Sequence, residues 1–227
     1  MGDDGKPVVI EDQFLDVQLF GYGERSRNLQ LADLLQTTTA RRTEQSLHIY
    51  WFGMVGLSRG SVRLAPYRSE WKELFEQEAA RIRSALGEKL LRVEHVGSTA
   101  VEGMEAKPLI DMMAAVHSLE EAHGLVPILE GLGYERRGDG GVEGRIFLVK
   151  GPRSRRTHHL SLTEMTSEHW QNSLLFRDYL RAHPEVADEY GGLKRELARK
   201  YPEDRDSYTV GKNQFVEQVI RSARMCS

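Results

Sequence analysis

The sequence predicts an α+β domain in which a mixed β-sheet is flanked by helices and followed by a C-terminal helical cap. Two patterns indicate this class. Between residues 61 and 164, short apolar runs typical of strands alternate with helical segments, and from residue 167 onward apolar residues recur at helical spacing. A chain of 227 residues with 40% hydrophobic and 29% charged residues is typical of one soluble globular domain with an appendage.

Residues 1–60 are expected to form an N-terminal extension, and residues 61–227 the domain proper. The extension contains one short helical pattern, RNLQLADLLQ, and an apolar stretch without clear period, IYWFGMVGL. Neither pattern forms a core or carries recognisable chemistry. We therefore predict a poorly ordered segment, with Met54 as an alternative start.

The first half of the domain is predicted to hold a helix between strands. VRLAPY has the composition of a short strand, and a helix is expected from the capping residue Ser69 to Gly87. LLRVEHV is predicted to be a strand that runs into a turn. PLIDMMAAV is almost continuously apolar, which indicates a strand buried on both faces.

The second half is predicted to add two strands and the helical tail. Ser118 is a candidate cap for a helix in two short pieces, and the strands GRIFLVKG and THHLSLTEM follow, joined by the basic turn PRSRR. The tail contains three helical segments, with a break at Pro184: SEHWQNSLLFRDYLRAH, VADEYGGLKRELARKY and SYTVGKNQFVEQVIRSA.

Composition excludes several functional classes. The net charge of −3 provides no global basic field, so nucleic acid is not an expected partner. The single cysteine, Cys226, cannot form an intramolecular disulfide, and a reducing compartment is expected. No run approaches the roughly 18 apolar residues of a membrane span. We therefore predict a cytoplasmic protein without a membrane partner.

The stretch EHVGSTAVEGMEAKPLID, residues 94–111, carries the main candidate chemistry. The turn at Gly97 offers unhindered amides, and the hydroxyls of Ser98 and Thr99 add donors for a phosphate. Asp111 is a carboxylate in a buried strand, which is costly unless it is paired or holds a cation. Phosphoryl transfer needs a phosphate cradle and carboxylates that hold Mg²⁺. The alternatives are a glycine required only by the backbone and a carboxylate paired with Lys107 or an arginine.

Several motifs in fixed order resemble the GrpB family, which lies within the DNA polymerase beta-like nucleotidyltransferase superfamily. They are EHVGSTAV, AKPLID, RTHHL and LLFRDYLRAHPEVADEYGGLKRELARKYPEDRDSYTVGK, within Val62 to Ala223. The resemblance implies a nucleotidyltransferase-like fold, a nucleotide or phosphorylated small molecule as ligand, Mg²⁺ as cofactor and nucleotidyl transfer to a small acceptor. Family members fused to dephospho-coenzyme A kinase imply coenzyme A precursors as further candidate ligands.

The resemblance also assigns roles to individual residues. Gly97 and Ser98 match the turn, and Asp111 matches the first acid, so Asp111 is the expected catalytic and metal-binding carboxylate. Met113 occupies the position of the second acid, and the neighbouring strand has no third acid. His159 is expected on the same face as Asp111, as general base or metal ligand; the alternative is a hydrogen-bonded core histidine.

Basic residues complete the predicted site. Four are expected to contact phosphate, since arginine and lysine suit phosphate oxygens: Lys107, Arg145, Arg156 and Lys212. Arg153 and Arg155 are either phosphate ligands or part of a solvated loop. Tyr208 is a candidate to reach the site with Lys212, whereas most other charges of the tail, among them Arg177 and Lys194, are expected on a solvent face. Glu94 is a candidate substitute metal ligand.

Two other functions are compatible with the same residues. The domain is then either a non-catalytic binder of nucleotides or coenzyme A precursors that has lost the acidic metal site, or an interaction protein that uses the apolar patch IYWFGM.

Overall fold

The computed structural model describes residues 55–57 and 61–225 of the chain. Four features of the sequence lie outside these residues, and the structure does not bear on them. They are the predicted helix RNLQLADLLQ, the apolar patch IYWFGM, the alternative start at Met54, and Cys226.

Five strands form one mixed sheet. They are β1 (Leu90–Val96), β2 (Ile110–Val116), β3 (Tyr134–Arg136), β4 (Arg145–Lys150) and β5 (His158–Glu164). Their order across the sheet is β1-β2-β5-β4-β3. The β2–β5 pair is parallel and the other three pairs are antiparallel, which confirms the predicted mixed sheet.

Seven α-helices accompany the sheet in the described part of the chain. They are α1 (Glu70–Leu86), α2 (Leu119–Ala122), α3 (Val126–Gly131), α4 (Glu168–Ala182), α5 (Pro184–Lys200), α6 (Arg205–Val210) and α7 (Asn213–Met225). The side chain of Ser118 accepts a hydrogen bond from the Glu121 amide, as expected of a cap. The last four helices form the predicted C-terminal cap.

The centre of the sheet is buried on both faces, as the apolar run in β2 predicts. On one face, Phe75 of α1 stacks on His95 of β1 at a centroid distance of 4.8 Å. On the other face, Trp170 of α4 packs with Met113 and Ala115 of β2. Asp111 lies on the α4 side at the beginning of β2, where cover is incomplete, and its side chain is 40% exposed. The helical tail is therefore positioned to complete a site around Asp111.

The structure differs from the sequence prediction at three places. VRLAPY forms no strand; Ala65 makes one isolated bridge with Ala106, and the next residue, Pro66, lacks the amide that would extend it. The short strand β3 was not predicted. Residues 55–57 precede the predicted boundary at residue 61, yet Leu57 pairs with Arg156 and is buried.

Among the described residues, no helix combines the length and apolar character needed to cross a membrane.

Candidate functional site

Asp111 and His159 form the centre of the candidate site. They are direct partners in the parallel register of β2 and β5, so their side chains leave the sheet on the same face. His159 Nδ1 lies 3.0 Å from Asp111 Oδ1. The aromatic ring of Phe147 packs edge-on against His159 at 5.1 Å and restricts its rotation. The structure thus brings these two predicted residues together as a hydrogen-bonded pair.

The surroundings of Asp111 favour its ionised form. Burial raises the pKa of Asp111, but the hydrogen bond from His159 and the positive charges of Lys107 and Arg205 outweigh burial and lower the pKa below its ordinary value. An ionised carboxylate accepts the proton of Nδ1, so a neutral His159 carries its acceptor lone pair on Nε2. The pair therefore offers a carboxylate and an imidazole nitrogen to the space beside them.

The Gly-Ser turn lies directly against this pair. Gly97 has a φ of 72°, and a Cβ placed there would lie 2.7 Å from Asp111 Oδ2. The first hydrogen bond of the turn runs from the Ala100 amide to Gly97 O at 3.1 Å. The next runs from the Val101 amide to Ser98 O at 3.3 Å. The glycine is required both by the backbone and by the contact with Asp111.

Thr99 has a structural role within the same turn. Its hydroxyl donates to Leu109 O at 3.2 Å and lies 3.0 Å from His95 Nε2. The residue is only 3% exposed. This hydroxyl therefore links the turn to the segment that enters β2, and Thr99 also lines the cavity beside Asp111.

The contact between Gly97 and Asp111 can be tested with a matched pair of variants. Gly103 has a similar φ of 77°, but a Cβ there would meet nothing within 4 Å. We expect Gly103→Ala to lower the free energy of unfolding by about 1 kcal/mol through backbone strain, and Gly97→Ala by about 2 to 4 kcal/mol because the clash adds to the strain. Urea denaturation measures both. Equal losses would show that the turn does not pack against Asp111 as described.

A cavity of about 150 Å³ opens beside the pair and is lined by two parts of the chain. The sheet side supplies Gly97, Ser98, Lys107, Asp111 and His159. The helical tail supplies Tyr190, Lys194, Arg205, Tyr208 and Lys212. The cavity thus combines four cationic side chains with one carboxylate.

Two tyrosines position the lysines of the cavity. The Nζ atoms of Lys107 and Lys212 lie 5.0 Å and 4.7 Å from the ring centroid of Tyr208. Lys194 Nζ lies 4.9 Å from the ring centroid of Tyr190 and donates a hydrogen bond to Glu105 O. Aromatic faces attract ammonium groups, so the lysines are held in place without a neutralising carboxylate.

Burial is the main cause of a lowered lysine pKa in this cavity. It lowers the pKa of Lys107 to about 7, with a further contribution from the charges of Arg205 and Lys212. Burial lowers the pKa of Lys194 to about 7 as well, and the charge of Lys212 adds to the effect. Both lysines would regain ordinary values beside an anion. The cavity is thus electrostatically unfavourable when empty of negative charge.

Two predicted phosphate ligands, Arg145 and Arg156, do not line the cavity. Arg145 donates to Ser161 Oγ at 3.2 Å and to two carbonyl oxygens of the preceding loop, and its guanidinium stacks on the ring of Phe147 at 4.5 Å. Arg156 donates to Glu135 and, at 2.5 Å, to Gly151 O. Both arginines donate hydrogen bonds to nearby protein acceptors, so these two members of the basic run stabilise the sheet and its loops.

Two charged residues of the tail were expected on a solvent face, and this was wrong. Lys194 is 2% exposed and Arg177 is 7% exposed. The sequence holds a signal for Lys194, because Tyr190 and Leu197 place it on the apolar side of α5. Arg205 carries no comparable signal, and only the tertiary structure brings it to the cavity.

The donor set of the site fits a single Mg²⁺ completed by substrate phosphates and water, and does not fit a two-metal centre. Asp111 is one carboxylate, and His159 already shares its Oδ1. Met113, at the second acid position, is 1% exposed in the core. Glu94 pairs with Arg177 at 2.6 Å and with Arg92 at 2.5 Å. No group of three or more potential metal ligands occurs in the described part of the chain.

Fold and site together define an α+β domain with a mixed sheet, a C-terminal helical cap and a cationic cavity. Residues 61–222 match the family model described as GrpB protein. The chain belongs to the GrpB family. The crystal structure of the conserved protein GrpB from Enterococcus faecalis is similar, with a TM-score of 0.66 and 38% identity, and the match covers 71% of this chain and 96% of that chain.

Two curated relatives are longer than the matched region. UPF0157 protein YqkA of Bacillus subtilis is 36% identical over 163 residues, which cover 72% of this chain and 47% of YqkA. A protein named dephospho-CoA kinase from Mycolicibacterium paratuberculosis is 30% identical over 193 residues, which cover 74% of this chain and 47% of the relative. The chain thus spans about half the length of these two proteins.

Proposed function

We propose that the domain binds a nucleotide or another phosphorylated small molecule in the cavity beside Asp111. One observation carries the proposal: four cationic side chains converge on a space that contains a single carboxylate. Lysine and arginine donate charge-assisted hydrogen bonds to phosphate oxygens, and these are stronger than neutral ones. Burial of the lysines increases their attraction for an anion, because water screens the charges less.

The two walls of the cavity take different parts in this binding. The helical tail supplies Arg205, Lys212 and Lys194, which neutralise the phosphates. The turn that contains Gly97 and Ser98 lies next to Asp111, and so places one end of the ligand near the Asp111–His159 pair. A ligand that contacts both walls would be oriented as well as bound.

A second candidate function is Mg²⁺-dependent transfer of a nucleoside monophosphate to a small acceptor. The exposed, ionised carboxylate of Asp111 favours it, because a ligand can reach this side chain. When bound, Mg²⁺ would supply positive charge at the transferring phosphate. Asp111 would hold the ion, and His159 Nε2 would accept the proton of the acceptor hydroxyl. The alternative without catalysis is binding of coenzyme A precursors. The similarity to the relative named dephospho-CoA kinase suggests this ligand class.

Binding is tested by thermal shift with nucleotides, coenzyme A precursors and other phosphorylated metabolites. We expect at least one of these to raise the Tm, and Arg205→Ala to reduce the shift strongly, because ligand binding stabilises the folded state by mass action. Arg199→Ala removes an exposed cation at the end of α5 and is the matched control. No shift with any phosphorylated compound would contradict the proposed function.

Transfer is tested separately by pyrophosphate release from labelled nucleoside triphosphates in Mg²⁺, with a panel of hydroxyl acceptors. Asp111→Asn is expected to remove turnover while the phosphates still bind. Turnover that survives this substitution would rule out the proposed role of Asp111, and absence of turnover with the wild-type protein would leave binding as the function.

A further inference from the structure

The cations of the cavity differ from Lys150 and Arg177 in forming no direct ion pair with a carboxylate, and Asp111 is the one acid among the residues that line the cavity. Lys150 pairs with Glu78 at 2.6 Å, and Arg177 pairs with Glu94 at the same distance. By contrast, Lys107, Arg205 and Lys212 have no ion pair with any carboxylate among residues 55–57 and 61–225. A desolvated charge without a partner is costly to the folded protein. The cluster is therefore explained by a partner that arrives from solution.

The size of the missing charge indicates what that partner is. Beside a bound anion, Lys107, Lys194, Arg205 and Lys212 can contribute up to four positive charges, and Asp111 contributes one negative charge that His159 already shares. A phosphate monoester carries only about −1.5 to −2 at neutral pH. A diphosphate or triphosphate group carries more, and matches the excess more closely.

The lysines of the cavity also contact two different tyrosine rings. Lys107 and Lys212 contact the ring of Tyr208, whereas Lys194 contacts the ring of Tyr190. These separate positions suit a chain of linked phosphates, in which each group meets a different cation. A single phosphate group would leave part of the cluster without an anion.

The lysines of the cavity also explain why a site with one carboxylate can still bind phosphates. The donor set provides one carboxylate, and Met113 fills the second acid position with a core side chain. A divalent cation serves mainly to neutralise the phosphates of a bound ligand. Ammonium groups do this without carboxylate ligands, although as point charges with less fixed geometry. The lysines therefore occupy the electrostatic role of the metal.

We infer that the cavity recognises a linked polyphosphate, a diphosphate or triphosphate group, and that its lysines rather than Mg²⁺ neutralise that group on binding. The inference rests on the proposed function and specifies its ligand class.

Calorimetric titration of the full chain with orthophosphate, pyrophosphate and tripolyphosphate tests the inference. The titrations are made at constant ionic strength, first with EDTA and then with Mg²⁺. We expect the affinity in EDTA to rise about tenfold or more with each added phosphate, because each adds charge-assisted contacts. Mg²⁺ is expected to leave the affinity unchanged or to weaken it, since it competes with the lysines for the same oxygens.

A matched pair of lysine variants locates the effect. Lys212 and Lys200 both lie over a tyrosine ring, but only Lys212 lines the cavity. Lys212→Gln should weaken tripolyphosphate binding more than tenfold, and Lys200→Gln should not change it. Equal affinity for orthophosphate and tripolyphosphate, or binding that requires Mg²⁺, would overturn the inference and leave the proposed function intact. Failure of every phosphate and every nucleotide to bind would overturn both.

Discussion

Replacement of Lys107 and Lys212 together by methionine is expected to remove most triphosphate binding while it stabilises the free protein. Each lysine provides charge-assisted hydrogen bonds worth about 1.5 to 3 kcal/mol, so loss of both should weaken binding at least about 100-fold. Methionine keeps an unbranched apolar stem against Tyr208, which preserves the packing. Calorimetric titration with a nucleoside triphosphate measures the loss.

The expected gain in stability follows from the electrostatics of the free cavity. Burial lowers the pKa of Lys107 to about 7, and burial also lowers the pKa of Lys212. The unfolded chain keeps these protons up to an ordinary lysine pKa of about 10.4. For Lys107, the free-energy cost of burying the charged side chain is therefore complete below about pH 7. This cost decreases as the pH rises above that value and is gone above the unfolded pKa.

The double variant should accordingly unfold at a higher urea concentration at neutral pH. We expect a gain of about 1 to 2 kcal/mol at pH 7, by analogy with the replacement of other buried charges, and none near pH 11. The control is the double variant Lys89→Met and Lys200→Met, which makes the same chemical change at exposed positions. A loss of stability at pH 7 combined with undiminished binding would contradict the cationic cavity.

Arg177→Ala is expected to cause the largest loss of stability, about 3 kcal/mol or more. Arg177 of α4 is 7% exposed and donates to Glu94 Oε2 at 2.6 Å and to His95 O at 3.0 Å. It also donates two hydrogen bonds to Asp178. Alanine would leave the carbonyl of His95 and part of Glu94 buried without a donor, and the loss of one partner of a buried pair is costly.

Urea denaturation measures this loss against Arg224→Ala. Arg224 also bonds α4, through Glu168 at 3.3 Å and Asn172 at 2.8 Å, but its side chain is 53% exposed. Exposed pairs contribute roughly 0 to 1 kcal/mol, so the control should change little. Similar losses for the two variants would show that Arg177 does not anchor α4 to β1 beside the Gly-Ser turn.

The elements that the sequence predicts correctly are those with strong local patterns. The apolar run of β2 and the amphipathic period of α1 define both elements without tertiary information. β3 has three residues, too few to show an alternating pattern, and its pairing with β4 is what makes it a strand. The strand predicted for VRLAPY shows the opposite error. Its local sequence favours a strand, but Ala65 makes only one bridge before Pro66 ends the pairing.

Part of the sheet side of the candidate site was predictable, and the resemblance to the GrpB family added Lys212 and Tyr208 from the tail. Gly97 and Asp111 are close in sequence, and the parallel register adds His159 to the same face. Lys194 and Arg205 reach the cavity through the packing of α5 and α6. The helical pattern of α5 indicates that Lys194 is buried, but no local pattern indicates that either residue lies at the cavity. A local run of basic residues was likewise insufficient, because whether an arginine meets a ligand or a neighbouring acceptor depends on the folded surroundings.

A crystal structure of the full chain soaked with a nucleoside triphosphate, once with EDTA and once with Mn²⁺, tests the central claim most directly. We expect the phosphates in both crystals to lie within hydrogen-bond distance of Lys107, Arg205 and Lys212, with one end beside the Asp111–His159 pair. Phosphates bound elsewhere, for example along the basic loop from Arg153 to Arg156, with the cavity unoccupied, would contradict it.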